Sequence, residues 1–266
     1  MYIFAILSYG LYDPARRYVT KKKCLPSIIG AYNKFLQEGN ESVLVYFNND
    51  DKQYITESDY PNLGFGGSAG NIGVYGYNHC FEQAADDDIL VELDCTTFIR
   101  HDNDIIRFFN FFDYVEENHD NVGFVGMDYY VPKRDRDHPN WKGAATYGTS
   151  HGFKDDNAMY MESSYGNYSV FTRGCEKGLV PGGFRACRAS TWRAIGGQPE
   201  FLYGTDRWMN IMALREGYSN FLVHNINIEK ITTNNGEYQK WKHEYLTKNC
   251  ILPENEDGET WHGGRR

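Results

Sequence analysis

Tyr2-Ile-Phe-Ala-Ile-Leu-Ser8, followed by the turn residues Tyr9-Gly10, is the stretch from which the fold is read. Its β-branched and aromatic residues form a short apolar run closed by a turn, the pattern of a buried central strand. Downstream, apolar residues at 25, 28, 29, 32, 35 and 36 recur at the spacing of one helical face, and Gly39-Asn40 stops that helix. Val43-Leu-Val-Tyr-Phe47 is then a second buried strand, ending in the polar turn Asn48-Asn49-Asp50-Asp51. Strand, helix and strand at this spacing make a βαβ unit with a right-handed crossover, so the chain is of the α/β class.

The same alternation continues. A Gly-rich segment at 62–71 leads into an expected helix over 72–84, and Ile89-Leu-Val-Glu-Leu-Asp94 is a third strand that ends on a carboxylate. A helix is expected over 105–115 and a strand over 122–127. From Asp128 to about Val180 the periodicity fades into polar, aromatic and Gly residues, which predicts loops or an excursion over the sheet. Pattern resumes at 182–188 and continues with a helix from Ser190 that stops at Gly196-Gly197. A second helix follows over 206–216, then a strand over 221–224. No repeat or low-complexity linker interrupts it, so residues 1–266 read as one domain.

Composition narrows the function. At 266 residues, 41% hydrophobic and 24% charged, the chain can bury a single core without staples. A net charge of −9 argues against a broad footprint on nucleic acid or anionic lipid, which needs clustered Lys and Arg. The basic clusters, Arg16-Arg17, Lys21-Lys22-Lys23, Lys133-Arg134 and Arg265-Arg266, are short and read as solvated surface. The cysteines at 24, 80, 95, 175, 187 and 250 form no CxxC pair, which reads as reduced thiols in a cytoplasmic protein. The apolar start at 1–7 lacks a basic lead and a cleavage site, and no apolar run reaches the ~20 residues of a membrane span. The expectation is a soluble chain with neither signal peptide nor transmembrane segment.

Open parallel sheets bind ligands beyond the carboxyl ends of their strands. Four polar features fall at such ends: Ser8-Tyr9, Asn48 to Asp51, Asp94-Cys95-Thr96, and His224. Each alone is ordinary turn chemistry; together they mark one sheet edge as the site. The Gly-rich loop is not a phosphate-cradling Walker loop, because it lacks the Gly-Lys-Ser/Thr ending.

"NLGFGGSAGNIG" at 62–73, "ILVELDCT" at 89–96, "PGGFRACRASTWRAIGGQPEFLYGTDRWMNIMALREGY" at 181–218 and "FLVHN" at 221–225 together resemble the GT-A glycosyltransferases of family 2. The resemblance spans about residues 2–225 and is most specific over 181–218. It implies a single GT-A, Rossmann-like domain with a mainly parallel sheet flanked by helices. About 1–127 would bind the nucleotide-sugar, while about 128–266 would bind the acceptor and include the tail. It also implies transfer of a sugar from a nucleotide-diphosphate donor, a UDP-sugar being favoured, to an acceptor hydroxyl with inversion.

Carried over, Asp94 takes the first acidic position of Asp-x-Asp, facing the ribose or a metal-bound diphosphate, and His224 is the late histidine that ligates the metal, Mn²⁺ or Mg²⁺. Ser8 and Asn48 line the nucleoside pocket, with Gly66, Gly67 and Asn71 packed along it. By the same resemblance Gly182 and Gly183 would lie under the donor sugar, and Asp206 would be the general base. A divalent cation would neutralise the leaving diphosphate, and a carboxylate would take the proton of the attacking hydroxyl. Two departures stand out: Thr96 replaces the second acid, with Glu92 two residues before Asp94 as a substitute, and Phe47-Asn48-Asn49 lacks the family's frequent Asp.

Acceptor contacts are expected from Tyr129, Tyr130, Trp141 and His151, and further from Tyr147, Trp241 and Trp261. A glycan is the default acceptor. A hydroxymethylated DNA base is the alternative, held by a rim of Lys133, Arg134, Arg136, Lys240, Lys242, Arg265 and Arg266. A non-catalytic carbohydrate-binding protein and a sugar nucleotidyltransferase are the competing functions, although the loop after the first strand lacks the basic residue the latter needs.

Overall fold

In a computed structural model of the chain, the described residues are 1–61, 63–68, 73–130, 157–175, 180–199, 205–231, 251–254 and 260–262. The elements are β1 (Tyr2–Ser8), α1 (Pro14–Val19), α2 (Leu25–Gln37), β2 (Ser42–Asn48), β3 (Gly64–Gly67), α3 (Gly76–Phe81), β4 (Ile89–Asp94) and β5 (Thr97–Ile99). They continue with α4 (Asp104–Asn118), β6 (Val122–Tyr130), β7 (Met159–Ser163), β8 (Gly166–Phe171) and β9 (Phe184–Arg188). The last are α5 (Ala189–Ala194), α6 (Thr205–Arg215), β10 (Ser219–Lys230) and a small separate pair, β11 (Ile251–Glu254) with β12 (Thr260–His262).

The main sheet runs β3-β2-β1-β4-β9-β6-β10-β8-β7, with β5 paired to β10. The parallel block β3-β2-β1-β4 keeps the expected βαβ order, and only β5, β8 and β9 run against the common direction. β1 is buried on both faces because its side chains alternate across the sheet. Phe4 and Ile6 pack with Ile28, Phe35, Phe108 and Phe112 of α2 and α4. Ile3, Ala5 and Leu7 pack with Tyr77 and Phe81 of α3, Trp192 of α5 and Met209 of α6. Each buried Ile, Leu, Phe or Met among these contributes about 1.5–3 kcal/mol. This makes β1 the strand on which the two halves of the core meet.

Several details depart from the sequence reading. Of the stretch expected to be helical, the described residues 73–84 hold only a 3₁₀ turn, Gly73–Tyr75, and the six-residue α3. The Gly-rich segment supplies an edge strand, β3, rather than a loop alone. Part of the stretch expected to be irregular is the hairpin β7–β8, turning at Gly166, where φ is +126°. The last strand runs on from 224 to Lys230. Before α2 the chain is already helical: Asp13 caps α1 by accepting from the Ala15 and Arg16 amides (2.8 and 3.3 Å), Pro14 starts it, and a π turn, Thr20–Cys24, leads into α2. Among the described residues no helix is long and apolar enough to cross a membrane.

Candidate active site

Strand register brings the first three predicted residues together. Ser8 lies opposite Asn48, Leu7 opposite Asp94, and Asn48 opposite Gly67. Buried Asp50 ties this edge down by accepting from the Gly10 and Leu11 amides (2.9 and 3.1 Å), and burial raises its pKa. Ser8 donates to the Phe47 carbonyl (3.3 Å), and Asn48 Nδ2 donates to the Asp50 carbonyl (2.9 Å). That bond fixes the orientation of the Asn48 amide and leaves its buried Oδ1 without a hydrogen-bond donor. β3 lies close: a Cβ at Gly66 would stand 3.2 Å from the Phe47 ring, and one at Gly67 3.0 Å from the Asn48 carbonyl oxygen. Asn71 lies outside the described residues.

Asp94 and Asp206 sit on either side of one glycine pair. The Asp94 amide reaches the Gly183 carbonyl at 3.4 Å, and Thr97 Oγ1 donates to the same oxygen at 2.6 Å. On the other side the Gly182 amide donates to Asp206 Oδ2 at 3.1 Å, and a Cβ on Gly182 would come within 2.6 Å of Asp206 Oδ1. Gly182 is therefore a close approach of backbone to carboxylate. Asp206 opens α6, where a helix N-terminus favours a negative charge. Its carbonyl is held by Asn210 (2.6 Å) and Arg185 (3.4 Å).

Arg185 is fully buried, with its guanidinium 4.3 Å from the centre of the Phe124 ring. Its Nη2 lies 2.9 Å from both Glu92 carboxylate oxygens, and Gln198 donates to Glu92 at 3.1 Å. Burial pushes the Glu92 carboxyl up to about 7, opposed by Arg185. Glu92 thus shares a strand face with Asp94 but serves a buried ion pair beneath the glycines.

Three residues surround Asp94: Thr96, noted in the sequence only as the lost second acid, Arg16, read there as solvated surface, and Lys230, which the sequence did not single out. Thr96 donates from both its amide and its hydroxyl to Asp94 Oδ1, each at 2.8 Å. Lys230 pairs with Oδ2, and Arg16 Nη2 stands 3.7 Å from Oδ1. Burial works against the Asp94 charge, but Lys230, Arg16 and the Thr96 amide outweigh it and hold the carboxyl well below the usual range. Lys230 gets there because β10 pairs with β5, Lys230 opposite Thr97, and the Ile231 amide donates to the Thr96 carbonyl (3.0 Å). Arg16 is anchored by its Nε on the Tyr9 carbonyl (2.7 Å).

His224 lies earlier on β10, where the register with β6 shifts between Val223 and Asn227. Its Nδ1 is 3.1 Å from Asp128 Oδ2 and its Nε2 2.7 Å from Ser169 Oγ. The β10 side chain beside Asp94 is Lys230. Among the described residues no three His, Cys, Asp or Glu side chains gather as a metal site. Tyr129 and Tyr130 end β6 opposite Ile228 and Glu229, next to Lys230. Trp141, Tyr147, His151, Trp241 and the rim Lys133, Arg134, Arg136, Lys240, Lys242, Arg265 and Arg266 lie outside the described residues. A separate groove of about 550 Å³, lined by Arg17, Tyr18, Lys21, Lys22 and Tyr54 among others, contains none of the predicted site residues.

No protein-family model and no curated protein matches the chain by sequence. Solved structures match it by shape. The mannosyltransferase PcManGT from Pyrobaculum calidifontis, in complex with GDP-Man and Mn²⁺, aligns with a TM-score of 0.54 at 14% identity, over 95% of this chain and 65% of that one. S. aureus TarS with UDP-GlcNAc gives 0.54 and 14%, over 92% and 63%. GalNAc-T7 with UDP, GalNAc and Mn²⁺ gives 0.53 and 12%, over 88% and 44%. The chain thus spans between 44% and 65% of the length of these structures. At such identities the likeness is one of fold, and with the strand order and the carboxylates at the strand ends it identifies this chain's fold as GT-A.

Proposed function

We propose that the chain transfers a sugar from a nucleoside-diphosphate donor to an acceptor hydroxyl. The observation that carries this reading is the placement of Asp94 and Asp206 on opposite sides of Gly182-Gly183, at the carboxyl ends of β1, β2 and β4. The three similar structures, each bound to a nucleotide sugar or its parts, support it. On this reading residues up to about 127 hold the donor, and those beyond contribute the base and the acceptor site.

The nucleoside enters at Ser8, Asn48 and Gly66-Gly67. Asn48 is held there with its amide oriented by the Asp50 carbonyl. The glycine pair, lacking side chains, lets the donor sugar lie over its backbone, flanked by the two carboxylates. Asp206 takes the proton of the acceptor hydroxyl as its oxygen attacks the anomeric carbon. The bond to the diphosphate breaks in the same step, so one displacement inverts the anomeric configuration.

A divalent cation is the cofactor that the fold resemblance implies, and two of the three similar structures hold Mn²⁺. The described residues do not fit one well. Asp94 is the single carboxylate at the spot, and it already faces Lys230, Arg16 and Thr96.

The reading is tested by thermal shift with UDP, GDP, CDP, TDP and their sugars, with and without Mn²⁺. A ligand at 100 times its Kd should stabilise the fold by about 2.7 kcal/mol. A melting temperature indifferent to all of them at saturating concentration refutes a donor site.

A further inference from the structure

We infer that Lys230 and Arg16, rather than a divalent cation at Asp94, supply the positive charge that meets the donor diphosphate. The inference rests on the reading of this site as one for a nucleoside-diphosphate sugar.

The first argument is the donor set. A divalent cation of the Mg²⁺ or Mn²⁺ type wants several hard oxygen ligands, normally with more than one carboxylate. Each acid or imidazole that the sequence offered has another partner. Thr96, in the place of the second acid, turns its hydroxyl onto Asp94 Oδ1 (2.8 Å). Glu92 is held by Arg185 and Gln198 (2.9 and 3.1 Å). His224 faces Asp128 and Ser169 (3.1 and 2.7 Å). Asp206 accepts from Gly182 (3.1 Å).

The second argument is charge. Asp94 faces one ammonium and one guanidinium, so positive charge is already gathered around it before any ligand arrives. A dication bound to Asp94 would be repelled by both of these cations. A diphosphate would meet what it needs.

The third argument is placement. The two cations come from opposite ends of the chain and are fixed independently. Arg16 is buried and anchored on the Tyr9 carbonyl (2.7 Å), within the loop that follows β1. Lys230 is set by the pairing of β10 with β5 and keeps part of its side chain, 19%, exposed to solvent. Asp94 holds the pair in position when the site is empty.

In the reaction the bond between the anomeric carbon and the diphosphate oxygen breaks heterolytically. Its electron pair stays on that oxygen, where the Lys230 ammonium and the Arg16 guanidinium donate charge-assisted hydrogen bonds. The new bond forms to the acceptor oxygen, whose proton goes to Asp206. Atoms and charge balance without a further reactant.

The test is calorimetric titration of the full chain with UDP and GDP, and with uridine and guanosine, in excess EDTA and in MnCl₂. The expected result is that a diphosphate binds in EDTA with an affinity within about threefold of that in Mn²⁺. Lys230→Gln should weaken the diphosphate in EDTA by about tenfold or more, the scale of one charge-assisted contact. It should leave the nucleoside unaffected, a split that loss of structure would not produce. Lys230→Arg should recover most of the affinity. Diphosphate binding that requires Mn²⁺ overturns the inference and leaves the donor reading standing. Binding of diphosphate under neither condition overturns both. An unchanged diphosphate affinity in a folded Lys230→Gln variant overturns the role of Lys230. If that variant fails to fold, the wild-type comparison in EDTA decides the matter alone.

Discussion

Replacing Gly182 by alanine is a direct test of the proposed catalytic geometry. Gly182 is not one of the glycines with positive φ, so its backbone accepts alanine without strain. The new methyl would stand 2.6 Å from Asp206 Oδ1, 3.0 Å from Cγ and 3.1 Å from Oδ2. An ordinary contact begins near 3.4 Å, so the carboxylate must retreat by about 0.8 Å or turn away. The fold should lose only about 1 kcal/mol, the low end for overpacking, because Asp206 opens a helix and is not fully enclosed. The chemical consequence is larger: a displacement of about 1 Å from the reactive position costs on the order of 10²-fold in rate. The assay is the initial rate of nucleoside diphosphate release from a UDP- or GDP-sugar, alongside donor affinity and the melting curve. The expected result is kcat lower by about 10²-fold, with donor affinity much less affected. Gly183→Ala is the comparison. Its methyl meets the tip of Ile228 at 3.0 Å, which can move aside, so its loss of rate should be smaller. A Gly182→Ala enzyme within about threefold of wild-type kcat would mean that the position of Asp206 against Gly182 does not matter to the reaction.

Asp206→Asn keeps the acceptor for the Gly182 amide but removes basicity, so kcat should fall by about 10²-fold or more with donor affinity nearly unchanged; near-normal turnover would place the base elsewhere. For the buried Glu92–Arg185 pair, Arg185→Met should cost about 3–5 kcal/mol in urea unfolding, while Glu92→Leu with Arg185→Met should recover most of it. Purely additive losses in that cycle would refute a coupled pair. Asp94, depressed by Lys230 and Arg16 against the effect of burial, contributes stability that is fully present above its ordinary value of 3.8 and is lost as the pH falls through its lower folded value. The stability gap between wild type and Asp94→Asn, measured by denaturant unfolding from neutral pH into acid, should therefore shrink below about pH 4. A gap independent of pH would show that the cations do not hold the carboxylate ionised.

What could be read from the sequence, and what could not, divides along a physical line. β1 and β2 were legible because a strand buried on both faces is a nearly continuous apolar run, and Asp94 was legible because the run of β4, broken only by Glu92, ended on a charge. The hairpin β7–β8 was less so. Its outer strand exposes Met159 and Tyr160, at 50% and 60%, and so carries no inward face to give a period. α1 did leave a signal, Asp13 followed by Pro14, but at six residues it is too short to show an apolar stripe.

The cations at Asp94 are the instructive case. Arg16 and Arg17 are adjacent and alike, and as a pair they read as solvated charge. Yet a helix turns about 100° between neighbours, so the two side chains leave in different directions. Arg16 goes inward to Tyr9 and Asp94, whereas Arg17 lies over the Tyr54 ring, 4.9 Å from its centre. Lys230 is hidden in another way. Its partner is 136 residues away in sequence and is reached only because the turn after Asp94 pairs with the end of β10. A ligand motif places acids by spacing along one strand, whereas a cation that answers an acid can come from anywhere the topology brings to that edge. For this reason the loss of the second acid at Thr96 was visible in the sequence, and the residues that compensate for it were not.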